Sequence, residues 1–344
     1  MKTGRDLREV LTELNRQQAE KRDYISPSFS LALQSDGRTL MMADKEFGTT
    51  ELFHRQTAST LGIPFKYYEL MRNQKPELLA ENVNAWFSDR DQKYMVRSLS
   101  GVARALLSDR YRRIDNLEVA GAVLPLFAGV PGMQVMSCEV TSQKLYLKVV
   151  DSRREVACVG DKVQFGIVVS NSEVGLGAVS VQPLVYTLAC TNGMIVSSLG
   201  ERKTHVGRAV KGMDDGWEVL SEQAKEAEDK AFMLKLRDVA RAAFDVARQD
   251  MIVEKLEASA GAKITGKVVD VVEMAGKDYG LSSLEQDGVL KYLIEGGDLS
   301  LYGLSNAVTR YSQDVDSYDR ATALEGMGWE MATMEPRRWN EMNR

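Results

Sequence analysis

The stretch FGIVVSNSEVGLGAVSVQPLVYTLACTNGMIV, Phe165 to Val196, decides how this chain folds. It is rich in Val, Ile, Tyr and Thr, residues that fit a pleated, half-buried strand. Asn, Ser and Gly punctuate it where turns belong. The run QVMSCEVTSQKLYLKVV, Gln134 to Val150, has the same character upstream. Strands in succession, joined by short turns, predict an antiparallel β-meander and an α+β class rather than a doubly wound α/β sheet.

Downstream of the meander the pattern changes to that of helices. From about Asp214 to Ser259, Trp217, Leu220, Ala224, Phe232, Leu236, Val239, Phe244 and Ile252 return to one helical face, with charge on the remainder. One long helix or two is expected there, packed across the sheet. A second helical region runs from about Ser282 to Gln313, and the tail EPRRWNEMNR reads as an exposed end.

Upstream, Leu7, Val10, Leu11 and Leu14 predict an amphipathic helix within residues 4–22. FSLALQSDGRTLMMAD reads as a hairpin turning at Ser35-Asp36-Gly37. Residues 49–87 are helical, with breaks at GIP and near NQKP. KYMVRSLSG and VARALLSDRY are strands, and NLEVAGAVLPLFAG is a helix ended by Gly129 and Pro131. The resulting organisation is a helical and hairpin region over 1–92, a β-rich core over 93–212, and a helical region over 213–344. It is the meander packed against long helices, with helical N- and C-terminal regions.

The 344 residues suffice for one large or two ordinary domains. A net charge of −5 supplies no global field for nucleic acid, so any such binding must come from local patches. Cys138, Cys158 and Cys190 form no C-x-x-C pair, which points to reduced thiols. No apolar run reaches the roughly 18 residues a membrane helix needs, and the charged start lacks a signal-peptide core. A cytoplasmic protein with no membrane partner is expected. His54 and His205 are the only histidines, too few for a histidine-rich metal site. Neither G-x-x-x-x-G-K-[ST] nor G-x-G-x-x-G occurs, and Asp109, Asp115, Glu118, Asp151, Asp161 and Glu173 show no ligand spacing. No cofactor and no metal is expected.

Cys190 is a candidate nucleophile, with His205 or His54 as its base. The preceding LVYTLA is a buried strand, however, where cysteine packs as a small hydrophobe. Asn192-Gly193 is a strong hairpin-turn dipeptide. This balance favours core and turn over catalysis. The segment LFHRQTASTLGIPFKYYELMR resembles a helix-turn-helix, but Phe65, Tyr67, Tyr68, Leu70 and Met71 favour packing over base reading.

Two basic clusters stand out against the net acidity. Arg97, Arg104, Arg110, Arg112 and Arg113 surround Tyr111, with only Asp109 opposing them locally. RKTHVGRAVK holds Arg202, Lys203, His205, Arg208 and Lys211 without an acid. Guanidinium groups pair with phosphates, and Tyr111 offers a stacking ring. The alternative is that these residues line solvated faces or pair with the acidic helix after Asp214. The nucleic-acid candidates are Arg104, Arg110, Tyr111, Arg112, Arg113, Arg202, Lys203, His205, Arg208 and Lys211.

TASTLGIPFKYYELM, LLSDRYRRIDNLEV, the Phe165–Val196 stretch and LYGLSNAVTRYSQDVDSYDRATALEGMGWEMA together resemble the phage- and plasmid-associated family of domain of unknown function 932. The matching segments run in order from about residue 50 to 332. In that family a basic segment with a histidine follows CTNGM, here ERKTHVGR, and LSNAVTRY corresponds to an asparagine-containing helical motif. The resemblance implies a mobile-element setting that accompanies DNA recombination and replication, and it supplies no catalytic residue.

Three functions are carried forward. The first is a non-enzymatic DNA-metabolism protein that binds single-stranded or recombining DNA, such as a homo-oligomeric single-strand annealing factor. The second is a protein-interaction or counter-defence factor with a host or mobile-element partner. The third, an enzyme of unknown chemistry, is the weakest.

Overall fold

The computed structural model describes residues 1–111, 113–177, 179–197, 222–242, 244 and 246–344. The chain is α+β and divides into two units, a smaller one of residues 11–117 and 172–176 and a larger one of 1–10, 118–171 and 177–344.

Helix α1 (Leu7–Glu20) leads into the smaller unit and ends at β1 (Lys21–Pro27). The hairpin of β2 (Leu31–Leu33) and β3 (Thr39–Met42) forms where the sequence places it. The Asp36 carboxylate accepts from Arg38 N at 2.8 Å and Thr39 N at 2.9 Å, while Gly37 takes a φ of +66°. There follow β4 (Lys45–Thr49), α2 (Glu51–Leu61), α3 (Phe65–Gln74), α4 (Pro76–Ser88), β5 (Lys93–Leu99) and β6 (Val102–Ser108).

The three helices occupy residues 49–87 as expected. Thr50 caps α2, Gly62 ends it in the left-handed region, and prolines stand at or just before the starts of α3 and α4. The six strands run in the order β1-β5-β6-β4-β3-β2, antiparallel except between β4 and β6. Leu40, Phe47, Phe53, Tyr68, Leu79, Phe87 and Val96 fill the core of this unit. Helix α3 contributes Tyr68 and Met71 to packing, whereas Tyr67 and Leu70 of the same helix are exposed. His54 on α2 is buried, with Nδ1 2.9 Å from the Tyr68 hydroxyl and Nε2 2.8 Å from Thr49 Oγ1.

Helix α5 (Asn116–Val123) leads to the five-stranded meander of the larger unit. Its strands are β7 (Met133–Val140), β8 (Leu145–Cys158), β9 (Asp161–Asn171), β10 (Ser180–Thr187) and β11 (Asn192–Ile195). They pair in sequence order, all antiparallel. Thus β5 and β6 belong to a different sheet from β7–β11.

Helices α6 (Glu222–Ala242), α7 (Val246–Gly261), α8 (Val268–Tyr279), α9 (Ser283–Gly296), α10 (Leu301–Tyr311), α11 (Tyr318–Ala332) and α12 (Pro336–Met342) complete this unit. Helices α6, α7 and α11 pack against the sheet. Ser282 and Glu285 form a capping box at the start of α9. Among the described residues no helix is long and apolar enough to cross a membrane.

Two local readings are corrected. Asn192-Gly193 does not turn the chain: it lies in β11, with Thr187 opposite Asn192 and Tyr186 opposite Gly193. The turn is Leu188–Thr191, and Thr191 takes a φ of +52°. Tertiary bonding outweighs turn propensity here, because Asn192 is buried, accepts from Gln313 Nε2 at 2.8 Å and donates to Asn306 O. Cys190 consequently sits half-buried in the turn, not in a core strand.

The tail is the second correction. Helix α12 buries Trp339 and Met342 against α8, and the Asn343 side chain accepts from Thr265 N at 2.7 Å. Two apolar side chains three residues apart share one helical face.

A buried ion pair joins sheet and helix within the larger unit. Lys148 on β8 and Glu325 on α11 are both 0% exposed, with Nζ 2.6 Å from Oε2. The Tyr318 ring lies 4.6 Å from the ammonium, and its hydroxyl is 2.6 Å from Ser137 Oγ. Lys2 N donates to the second oxygen of Glu325 at 3.3 Å.

Candidate nucleic-acid interface

Arginine in a central strand must find acids or be excluded from the interior. Arg97 on β5 is 3% exposed and meets this demand through residues distant in sequence. Its Nε donates to Asp23 Oδ1 at 2.8 Å, directly across the β1–β5 register. Its Nη2 donates to Asp115 Oδ1 at 2.8 Å and its Nη1 to the Glu173 carbonyl at 2.9 Å. Burial opposes the charge, but the bonds to Asp115 and Asp23 outweigh it and hold the guanidinium protonated beyond its usual range.

The same acids gather three more cations. Lys21 pairs with Asp115 and lies 3.8 Å from Glu173, while Arg113 reaches Asp23 at 3.4 Å. Arg104 on β6 lies 3.6 Å from Glu173, whose other oxygen accepts from Asn116 N at 2.7 Å. Burial lowers the Arg104 pKa, with Glu173 offsetting only part of that effect. Its Nε has no hydrogen-bond partner among the described residues. Burial would raise Asp115, yet Lys21 and Arg97 hold it below the usual carboxylate range.

The network therefore consumes some candidates and displays others. Arg104 is inside it, with a side chain 12% exposed. Arg110 is exposed, and the Arg113 side chain is 57% exposed. Both flank Tyr111, whose N donates to Ser108 O at 3.0 Å and whose hydroxyl donates to Ser172 O at 3.2 Å. Half-buried and bonded, Tyr111 anchors this loop rather than presenting a free ring, and burial raises its pKa. The Tyr111 N–H and hydroxyl and the Asp115 carboxylate tie the residues on either side of Arg110 and Arg113 into the unit. Arg112, Arg202, Lys203, His205, Arg208 and Lys211 lie outside the described residues.

Sequence reasoning missed Asp23, Asp115 and Glu173 as partners of the arginines, and Lys21 as a further cation on the same acids. The one available signal was an aspartate within the strand KRDYISP, where a charge calls for a cross-strand partner. The cysteines are poorly placed for thiolate chemistry. Burial raises Cys138 and Cys158 to about 11 and also raises Cys190.

The chain matches no family model, no curated protein and no solved structure.

Proposed function

We propose that the protein is a non-enzymatic, cytoplasmic DNA-metabolism factor of a phage or plasmid that binds single-stranded or recombining DNA. Annealing of complementary strands by a homo-oligomer is the activity that fits this reading. The observation that carries it is the anchored loop that holds Arg110 and Arg113 at the surface while Arg97 and Arg104 are engaged below. Exposed guanidinium groups pair with phosphates without reading sequence. The sequence resemblance to family 932 supports the same setting.

Fluorescence anisotropy with a labelled oligo-dT strand tests this, with salt at about 50 and about 200 mM. Each single-strand phosphate contact contributes a slope of about −0.7 in log K against log salt. Loss of two contacts in Arg110→Gln/Arg113→Gln should flatten the slope by about 1.4, a roughly sevenfold weaker salt response over that range. Absence of binding at low salt removes the proposal. An oligomer measurement with and without the strand tests the annealing role: a ring or filament supports it, and an indifferent monomer opposes it.

A further inference from the structure

Helix α6 in the larger unit has two unlike faces. Phe232, Leu236 and Ala240 recur every four residues and are buried. The other face carries Lys230, Arg237 and Arg241, which line one side of a groove of about 460 Å³. Met233 and Leu234 of α6, with Pro125 and Leu126 beyond α5, give the groove its apolar surface. Among the described residues no acidic side chain and no aromatic ring lines it.

Each of those facts narrows the occupant. Residues 230, 237 and 241 span about 16 Å at 1.5 Å per residue, so the cations form a stripe some three turns long. A cationic stripe beside an apolar floor is complementary to a helix with carboxylates beside an apolar face. Methionine adapts to varied apolar partners. A single nucleic-acid strand would gain phosphate contacts here, but the described lining residues offer its bases no ring on which to stack. Charge and apolarity together therefore favour a peptide.

We infer that this groove docks an acidic amphipathic helix of a partner protein. The site lies wholly in the larger unit, whereas the Arg110 and Arg113 loop belongs to the smaller one. Gly121, on the opposite wall, supplies a clean test: an added Cβ meets nothing within 4 Å. Gly121→Leu adds bulk at a position that lines the groove while raising helix propensity, so its effect is not one of unfolding.

The probe is a fluorescein-labelled peptide of about 14 residues, with leucines at i, i+3, i+4, i+7 and glutamates elsewhere. Anisotropy should show saturable binding of this peptide and none of the version with lysines in place of glutamates. Affinity should fall about tenfold or more in Arg237→Glu/Arg241→Glu, where attraction becomes repulsion. It should also fall in Gly121→Leu, with melting no lower than that of the unaltered chain. No binding of the acidic peptide, or binding undiminished in both variants, overturns the inference. So does displacement of the peptide by oligo-dT that fails against Arg237→Glu/Arg241→Glu, since the groove would then be a nucleic-acid track.

Discussion

Replacing Glu325 with Gln keeps the shape of the side chain and removes the carboxylate charge paired with a fully buried ammonium. Lys148 and Glu325 are both 0% exposed and 2.6 Å apart, so water does not screen the loss. Removing one partner of such a pair costs about 3–5 kcal/mol. Two features place Glu325→Gln near the lower bound. The glutamine carbonyl still accepts from Lys148, and the Tyr318 ring stays 4.6 Å from the ammonium, an attraction of about 2 kcal/mol when desolvated. Glutamine has a single acceptor oxygen, however, whereas Glu325 serves both Lys148 Nζ and Lys2 N. One donor must lose its partner.

The expected cost is about 3 kcal/mol, roughly two orders of magnitude in the unfolding equilibrium. Urea titration supplies the midpoint, and hydrogen exchange of β8 and α11 localises the effect to the larger unit. Lys148→Met/Glu325→Leu removes both charges and should recover most of the loss, because apolar replacement of a whole pair is close to neutral. A cost under about 1 kcal/mol for Glu325→Gln would refute the reasoning, as would a double variant no more stable than the single one.

The remaining predictions concern acid sensitivity and the C-terminal helix. Burial lowers the His54 pKa to about 4, against about 6.5 in an unfolded chain. The unfolded state then binds the extra proton first, so the stabilisation is complete above pH 6.5 and is lost as pH falls toward 4. About 2 kcal/mol should disappear between pH 7 and pH 5, and His54→Gln should lack that increment in urea midpoints measured across the same range. Trp339→Ala should cost about 3–5 kcal/mol, the usual result of emptying a large buried aromatic site, with exchange protection of α8 and α12 falling together. An unchanged melt would mean that the tail is not docked.

Local chemistry accounts for what could be read in advance. The Asp36-Gly37 turn, the breaks at Gly62 and Pro76, and the meander of Val-rich strands each follow from residues within a few positions of the feature. Asn192-Gly193 failed that reasoning because its partners, Gln313 and Asn306, arrive from helix α10 and the turn after it. The arginine cluster is the corresponding case at the candidate site. Its composition drew notice, but Asp23, Asp115 and Glu173 decide which arginines remain exposed, and they come from three separate segments. Pairing of that kind leaves no periodic trace. The α6 stripe does leave one, yet the groove also needs Gly121, Ala122, Pro125 and Leu126, more than a hundred residues away in sequence.

The pentapeptide Ser172–Leu176 leaves a strand of one unit, serves the other, and returns. It gives the Glu173 carbonyl to Arg97, a Glu173 carboxylate oxygen to Asn116 N, the Val174 carbonyl to Gln56 Nε2 and the Ser172 carbonyl to Tyr111. A truncation that keeps only residues 11–117 would thus take one acceptor from the Arg97 guanidinium and remove these partners of the Gln56 amide, the Tyr111 hydroxyl and the Asn116 N–H. Dissection of this molecule by simple cutting is expected to yield a crippled fragment, and a synthetic copy of the pentapeptide with its flanks, added in trans, becomes the natural complement for restoring it.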